Sequence, residues 1–298
     1  MSLATVFKSF FYVFITLLVN VLVILNVQAS QTPKTEMGKI LRNIDISNVS
    51  AEDLKVIQSE LLLHGVIVIK GKPVSPEVLF KFSQRLGRVP TLPKGLAFYN
   101  QVEGLEAVTR VTNLAKDGSI IKGHKAAEYW HQDGDFRSGS DSLMMNILHA
   151  HLVPKKGGET GFLDGQRVLK VIPKWLFDFF EQTNFYVVPS DIPDFDKKES
   201  SNLPRVTHRC IRIHEISNTK SLYLSMPDVV QLNNIPKDLS EELLNYTMKY
   251  LANNENTYIH HWEPGDTLVW DNTLVFHRGM GNYENEKRLL YRAQAFWK

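Results

Sequence analysis

One short motif, Trp130-His131-Gln132-Asp133, limits the folds open to this chain more than any other feature. Side chains two residues apart in an extended strand point to the same face, so His131 and Asp133 can reach one point in space. A third candidate ligand, His277, stands far along the chain. If the three bind one ion, the fold must bring two distant segments together. Two imidazoles and one carboxylate on one face of an octahedral ion leave three positions open, which suits a bidentate co-substrate and dioxygen.

The end of the chain carries a second polar pattern. Alternation predicts a strand that places Arg288, Leu290, Arg292 and Gln294 on one face. A guanidinium binds a carboxylate through two parallel hydrogen bonds and stays charged at any biological pH. Either arginine alone is more typical of a solvated edge strand, and an H-x-D motif alone often arises by chance. Their joint occurrence favours a metal ion beside a binding site for a dicarboxylic acid.

Several ordered motifs of this chain resemble those of the taurine dioxygenase (TauD/TfdA) family of Fe(II)/2-oxoglutarate-dependent dioxygenases. The resemblance runs from about Ile44 to the C-terminus. The motifs are His131-Gln132-Asp133, Gly157-Gly158-Glu159-Thr160, Trp270-Asp271-Asn272 ahead of His277, and Arg288 with Arg292. The family's fold implies a mainly β domain with flanking helices, a double-stranded β-helix (jelly roll) as in the clavaminate synthase-like superfamily.

The resemblance also implies a role for individual residues. His131, Asp133 and His277 would be the iron ligands, and Thr160 and Arg288 would bind the distal carboxylate of 2-oxoglutarate. Arg292 would lie near the metal-side carboxylate or the substrate. The implied enzyme uses Fe(II), with 2-oxoglutarate and O2 as co-substrates, and oxidises a C–H bond of a small organic molecule with release of succinate and CO2. Relatives that halogenate lack the carboxylate ligand, so Asp133 points to hydroxylation or a related oxidation such as desaturation.

Local patterns predict several helices and strands of this domain. Ser50 is a typical N-cap, and Ser75-Pro76 is a typical start of a second helix. The predicted helices are 51–63, a segment from Ser75-Pro76, one near 174–183 and one near 240–251; the predicted strands are 66–69, 142–153 and the segment Thr160-Gly161-Phe162-Leu163.

The N-terminal segment differs in character from the rest. Phe10 to Val27 is an 18-residue stretch without a charge, preceded by Lys8. Such a run predicts a signal peptide or a membrane anchor within residues 1–30, and its length favours an anchor. Residues 31–43 would then be a polar linker and 44–298 the dioxygenase domain. The positive charge of Lys8 would keep the N-terminus in the cytoplasm and place the catalytic domain on the non-cytoplasmic side, in the membrane or the secretory pathway.

The net charge of the chain restricts the classes of molecule that it can be expected to bind. The net charge of +2, from 34 basic and 32 acidic residues, gives no electrostatic footprint for nucleic acid. A small-molecule substrate is therefore expected, while the oligomeric state is left open.

The segment from Val111 to Tyr129 resembles the family's substrate loop, in which Asn113, His124 and Tyr129 are candidate substrate contacts. Ala126-Ala127 stands where taurine-using relatives have an asparagine, which argues against taurine.

Two other functions fit parts of the pattern. A metal-dependent barrel hydrolase could use zinc at the same three ligands, but it would leave Arg288 and Arg292 unexplained. A membrane-tethered binding protein without catalysis is the other alternative, although it has no need for three intact ligands. Binding of iron together with 2-oxoglutarate separates the dioxygenase from both.

Overall fold

The computed structural model describes residues 37–90, 100–122, 127–137, 144–188, 204–225, 230–252, 257–283 and 285–297. Strands dominate this part of the chain. In chain order the elements are β1 (Lys39–Leu41), α1 (Ala51–His64), β2 (Val66–Ile69), α2 (Pro76–Leu86), β3 (Gln101–Val102), β4 (Leu105–Thr112), β5 (Met144–Leu152), β6 (Thr160–Asp164), α3 (Gly165–Val171), α4 (Lys174–Gln182), β7 (Asn184–Val187), β8 (Val206–Arg209), β9 (Ile211–Ile213), β10 (Lys220–Leu222), β11 (Val230–Leu232), α5 (Lys237–Ala252), β12 (Thr257–His260), β13 (Thr267–Asp271), β14 (Val275–Gly279) and β15 (Leu289–Phe296).

The first helix begins and ends where its sequence predicts. Ser50 Oγ accepts a hydrogen bond from Asp53 N at 3.0 Å, and the Asp53 carboxylate accepts one from Ser50 N at 2.9 Å. This reciprocal pair satisfies two backbone donors that the first turn leaves without helical partners. Gly65 ends the helix at φ +69°, in the left-handed region that glycine adopts readily. The helix therefore turns directly into the buried strand β2.

Two sheets form the body of the fold. The larger has the strand order β1-β2-β13-β5-β15-β4-β3, and the smaller has the order β12-β6-β14. Alternate side chains of the larger sheet serve opposite faces. Ile67 and Ile69 pack with the helices α1 and α2, whereas Val66 and Val68 pack with Phe162 of the smaller sheet. This arrangement confirms the predicted jelly roll with flanking helices.

A third hydrophobic cluster lies beyond the smaller sheet. It joins α3, α4 and α5 to the sheet β11-β7-β8 and the hairpin of β9 and β10, around fully buried Phe180 and Tyr223. The free cysteine Cys210 is buried in this cluster. Each predicted helix and strand listed above is present, and the ends that were predicted and are described differ from the structure by no more than three residues; residues 142 and 143 of the predicted strand 142–153 lie outside the described residues.

The start of the folded part differs from the sequence interpretation. Lys39–Leu41 pairs in parallel with β2, with Ile40 opposite Val68, although these residues fall in the predicted linker 31–43. Three residues are too few for an alternation pattern to be visible in the sequence, and the edge position leaves Ile40 exposed. The predicted signal peptide or anchor at 1–30 lies outside the described residues. Among the residues that the structure describes, no helix has the length and apolar character needed to cross a membrane.

Candidate metal centre

The three candidate ligands converge at one point between the two sheets. His277 lies on β14, and His131 lies in a short segment that pairs with it: His131 N donates to His277 O at 3.1 Å, and His277 N donates to His131 O at 2.9 Å. Asp133 Oδ1 is 3.8 Å from His131 Nε2, and Asp133 Oδ2 is 3.6 Å from His277 Nε2. One ligand atom from each residue lies within 4.8 Å of the other two. The backbone pairing thus brings distant parts of the sequence to one site.

The charges of the three groups suit a divalent ion. Burial lowers the pKa of His131 and lowers that of His277 well below its usual value, so both imidazoles are neutral and can offer a lone pair. Burial acts to raise the pKa of Asp133, but the positive charge of Arg292 and the hydrogen bond from Asn146 act in the opposite direction, and that pKa is lowered to about 2. The carboxylate is therefore ionised. His131 Nδ1 lies 2.9 Å from Tyr129 O and donates to it, which leaves Nε2 to face the site.

Hydrogen bonds of the Asn272 and Gln132 side chains fix the segment that carries Asp133. Asn272 Oδ1 accepts from Asp133 N at 2.8 Å, and Asn272 Nδ2 donates to Asp133 O at 2.7 Å. Gln132 points away, as its place between the two ligands predicts. Its amide nitrogen donates to the carbonyl oxygens of Asn272 and Thr273, and its Oε1 accepts from Leu224 N. The turn after β13 and the ligand segment are thus one hydrogen-bonded unit.

Arg292 contacts the carboxylate ligand directly. Its NH1 lies 3.3 Å from Asp133 Oδ1 and 3.2 Å from Oδ2. The strand β15 sends Leu290 and Arg292 into the space between the sheets and Tyr291 and Ala293 towards the helices, as the alternation predicts. Arg292 is therefore a positive charge on the same side of the barrel as the candidate metal site.

Arg288 is a buried cation, and no carboxylate of the described residues lies within salt-bridge distance of it. It is 4% exposed, its Nε donates to Gly158 O at 3.2 Å, and the Tyr283 ring centroid lies 5.3 Å from its guanidinium carbon. In the described part of the chain Arg288 forms no salt bridge. Burial lowers its pKa, but a guanidinium remains charged at biological pH. Burial of an unpaired positive charge costs free energy, so this site favours the binding of an anion.

A single cavity joins these groups. Its walls include His131, His277, Arg288, Arg292 and Thr160. Thr160 is buried, and its hydroxyl oxygen accepts from Trp262 Nε1 at 3.1 Å, so the hydroxyl hydrogen is available to a ligand. Apolar walls complete the cavity: Val111, Ala127, Leu148, Trp270 and Met280. All six residues predicted as ligands of iron or of 2-oxoglutarate are close to this cavity, five in its wall and Asp133 beside Arg292.

The donor set fits iron(II) with 2-oxoglutarate. Two neutral imidazoles and an ionised carboxylate match the facial arrangement of non-haem iron, and the separations of 3.6 and 3.8 Å are too long for hydrogen bonds between them. The unpaired, buried charge of Arg288 fits the distal carboxylate of a dicarboxylic acid, and Thr160 in the same wall offers a hydroxyl. Among the described residues, none forms a salt bridge with Arg288, and none lies between the three ligand side chains in place of a metal ion.

The candidate substrate contacts of the loop before the motif fare differently. Asn113 is wrong as a substrate contact: it is buried, its amide donates to Glu286 O, and its Oδ1 accepts from Arg288 N at 2.9 Å. Its side chain instead binds the backbone of Arg288. His124 lies outside the described residues, and Tyr129 is 43% exposed with its ring against His131. Asn146, whose side chain donates to Asp133 Oδ2 at 2.8 Å, is a further residue of the site that the sequence motifs do not predict.

Comparisons with known proteins agree on one class. The family model "Taurine catabolism dioxygenase TauD, TfdA family" matches residues 29–294. The chain is 24% identical to an α-ketoglutarate-dependent 2,4-dichlorophenoxyacetate dioxygenase of Cupriavidus pinatubonensis, over 85% of this chain and 92% of the relative. It is 25% identical to pentalenolactone F synthase of Streptomyces arenae, over 88% and 93%. The solved structure of AAD-2 with Mn(II) and N-oxalylglycine has a similar fold, with a TM-score of 0.72 and 19% identity over 88% of this chain and 95% of that one.

Proposed function

The chain belongs to the taurine catabolism dioxygenase TauD, TfdA family, and from this premise we propose that it oxidises a C–H bond of a small organic anion at an iron(II) ion held by His131, Asp133 and His277. The enzyme is an oxidoreductase that uses Fe(II) and 2-oxoglutarate, with O2 as the second co-substrate. When bound, the iron with its co-substrates supplies the oxidising power, and 2-oxoglutarate leaves as succinate and CO2. One observation carries the proposal: the three ligand side chains converge at one cavity with buried Arg288, which forms no salt bridge with any described residue.

The residues around the ion have separate tasks. Arg288 and Thr160 bind the distal carboxylate of 2-oxoglutarate, since a buried guanidinium and a hydroxyl are matched donors for it. Trp270 and Leu148 form apolar walls that keep water from the reacting atoms. Trp270 also packs against the His277 ring, with 4.8 Å between ring centroids, and so fixes the plane of that ligand. The protein therefore positions and shields the chemistry.

The charges of the cavity wall favour an anionic substrate, since the wall contains Arg278, Arg288 and Arg292 beside Glu159. We place the carboxylate or sulfonate of the substrate beside Arg292, which lines the cavity and whose NH1 also contacts the Asp133 oxygens at 3.2 and 3.3 Å. Relatives carry names with such groups, among them the 2,4-dichlorophenoxyacetate dioxygenase and a sulfonate dioxygenase of Saccharomyces cerevisiae. We assign substrate binding to Arg292 and 2-oxoglutarate binding to Arg288.

Replacement of Arg292 by lysine tests this assignment. Lysine keeps the charge but loses the planar, two-donor geometry, so we expect KM for an anionic substrate to rise by about tenfold to 100-fold while KM for 2-oxoglutarate is unchanged. The assay measures succinate release above the uncoupled background, with a panel of small carboxylates, sulfonates, amines and neutral compounds. Stimulation by amines or neutral compounds alone would contradict an anionic substrate, and an equal rise in both KM values would contradict the division of roles.

The two alternatives lack a supporting observation. A zinc hydrolase has no use for the buried charge of Arg288, and a binding protein without catalysis does not require neutral imidazoles around an ionised carboxylate. Succinate formation that needs Fe(II), 2-oxoglutarate and O2 together tests the proposal against both. Zinc-dependent hydrolysis without consumption of 2-oxoglutarate would favour the hydrolase.

For the N-terminal segment we propose a membrane anchor with the catalytic domain on the non-cytoplasmic side. The uncharged stretch Phe10–Val27 after Lys8 supports it. We expect the full chain to stay in the membrane fraction through a carbonate wash. Val19→Arg, which puts a charge in the middle of the stretch, should release part of it. Recovery of the unaltered full chain in the soluble fraction would contradict the proposal.

A further inference from the structure

Asn146 is a polar side chain at the centre of a buried strand. It lies on β5 between Met145 and Ile147 and is fully buried, so its amide must find hydrogen bonds within the protein. Its Nδ2 donates to Asp133 Oδ2 at 2.8 Å and to Asn272 Oδ1 at 3.0 Å, and its Oδ1 accepts from Gln294 Nε2 at 2.8 Å. Nothing in the assigned chemistry accounts for this residue.

The orientation of the Asn146 amide follows from its neighbours. An ionised carboxylate only accepts hydrogen bonds, so the side of Asn146 that faces Asp133 must be the NH2 group. The carbonyl oxygen is then turned towards Gln294, whose NH2 group meets it. Gln294 lies on the same face of β15 as Arg292, the arginine assigned to substrate binding. It therefore fixes Asn146 from the strand next to β5. The amide is fixed from both sides.

The two oxygens of Asp133 are therefore not equivalent. Each carboxylate oxygen has about two lone-pair sites for hydrogen bonds or metal. Oδ2 receives Asn146 at 2.8 Å and Arg292 at 3.2 Å, which fills both sites. Among the described residues, the hydrogen bonds to Oδ1 come from Arg292 alone, at 3.3 Å. Oδ1 is the oxygen with a site to spare.

We propose that Asn146, held by Gln294, is a positioning residue that engages Oδ2 of Asp133 and so restricts this ligand to one-oxygen coordination through Oδ1. The inference rests on the proposed function. A carboxylate bound through both oxygens would take a fourth position of an octahedral ion and leave two. Because 2-oxoglutarate needs two positions and dioxygen one, the restriction keeps all three positions open.

The test replaces Asn146 by leucine, which has a similar shape and no hydrogen-bond donor. Calorimetric titration with Co(II), and then of the cobalt protein with 2-oxoglutarate, measures the two affinities separately. We expect Asn146→Leu to bind Co(II) within about threefold of the unaltered protein, since Asp133 gains a second free oxygen. Its affinity for 2-oxoglutarate should fall by about tenfold or more. The visible absorption of the bound Co(II) should change as well, because it responds to the number of ligands.

A second variant and a control keep the test decisive. Gln294→Leu removes only the support of Asn146, so the same pattern should appear with a smaller size, and it decides the matter if Asn146→Leu does not fold. The control is Gln231→Leu. Gln231 lies on β11, away from the site, and its amide donates to Ile235 O, so its replacement should change neither the Co(II) affinity nor the 2-oxoglutarate affinity.

Three results would count against the proposal. An affinity for 2-oxoglutarate that is unchanged in both variants would overturn it. A parallel fall in Co(II) affinity, 2-oxoglutarate affinity and thermal stability would overturn it too, since it would show a purely structural role. If the unaltered protein binds neither Co(II) nor 2-oxoglutarate, the proposed function itself is wrong.

Discussion

Replacement of His277 by alanine is expected to reduce metal affinity on the order of 10³-fold and to abolish succinate formation. The variant keeps only His131 and Asp133, and two ligands do not hold a divalent ion against its hydration. The side chain of His277 also packs against Trp270, so its loss leaves a small cavity between the sheets. Titration with Fe(II) under anaerobic conditions, followed by the succinate assay, measures both effects.

His151→Ala is the matched control for His277→Ala. His151 lies on β5, is exposed, and contacts the ring of Tyr291 on the outside of the barrel. We expect this variant to bind Fe(II) and to form succinate as the unaltered protein does. Thermal unfolding separates loss of the ligand from loss of the fold. Retention of Fe(II) affinity by His277→Ala would remove this residue from the ligand set.

Replacement of Arg288 by alanine is expected to weaken 2-oxoglutarate binding by roughly 10²- to 10³-fold while iron binding is retained. The distal carboxylate of 2-oxoglutarate would then lie in a buried space without a charged partner. Thr160 alone cannot replace the guanidinium, since a hydroxyl donates a single neutral hydrogen bond. Anaerobic binding of 2-oxoglutarate to the Fe(II) protein, at increasing co-substrate concentration, measures the shift.

Two further variants test whether the effect belongs to the carboxylate site. Arg209→Ala removes an arginine from β8, where it donates to Glu181 O, and should change neither affinity. Thr160→Val removes the hydroxyl with little change in shape, and a weaker effect in the same direction is expected. If Arg288→Ala loses iron to the same extent as 2-oxoglutarate, the assigned role of Arg288 is wrong.

The sequence allowed the ligands to be predicted because their chemistry is tied to spacing. His131 and Asp133 must be two apart to share a face, and Arg288 and Arg292 must share a strand face to reach one cavity. Such constraints are visible without a structure. The same holds for α1, whose capping box at Ser50 marks its first residue.

Other parts of the site depend on contacts between distant segments. An asparagine within the apolar run of β5 is the one sequence signal that Asn146 has a special partner, but the sequence does not say which. Its partners Asp133, Asn272 and Gln294 come from three other segments, so only the packed barrel brings them together. The contact of Asn113 with the backbone of Arg288 also joins segments far apart in the chain, so the sequence does not reveal it.

Anaerobic addition of Fe(II) and 2-oxoglutarate to the purified protein tests whether His131, Asp133 and His277 form the iron site. We expect a weak visible charge-transfer band that requires both components and is absent from His277→Ala. In Arg288→Ala the band should need far more 2-oxoglutarate. A folded, unaltered protein that shows no such band at saturating Fe(II) and 2-oxoglutarate would contradict the claim that His131, Asp133 and His277 hold an iron centre open to this co-substrate.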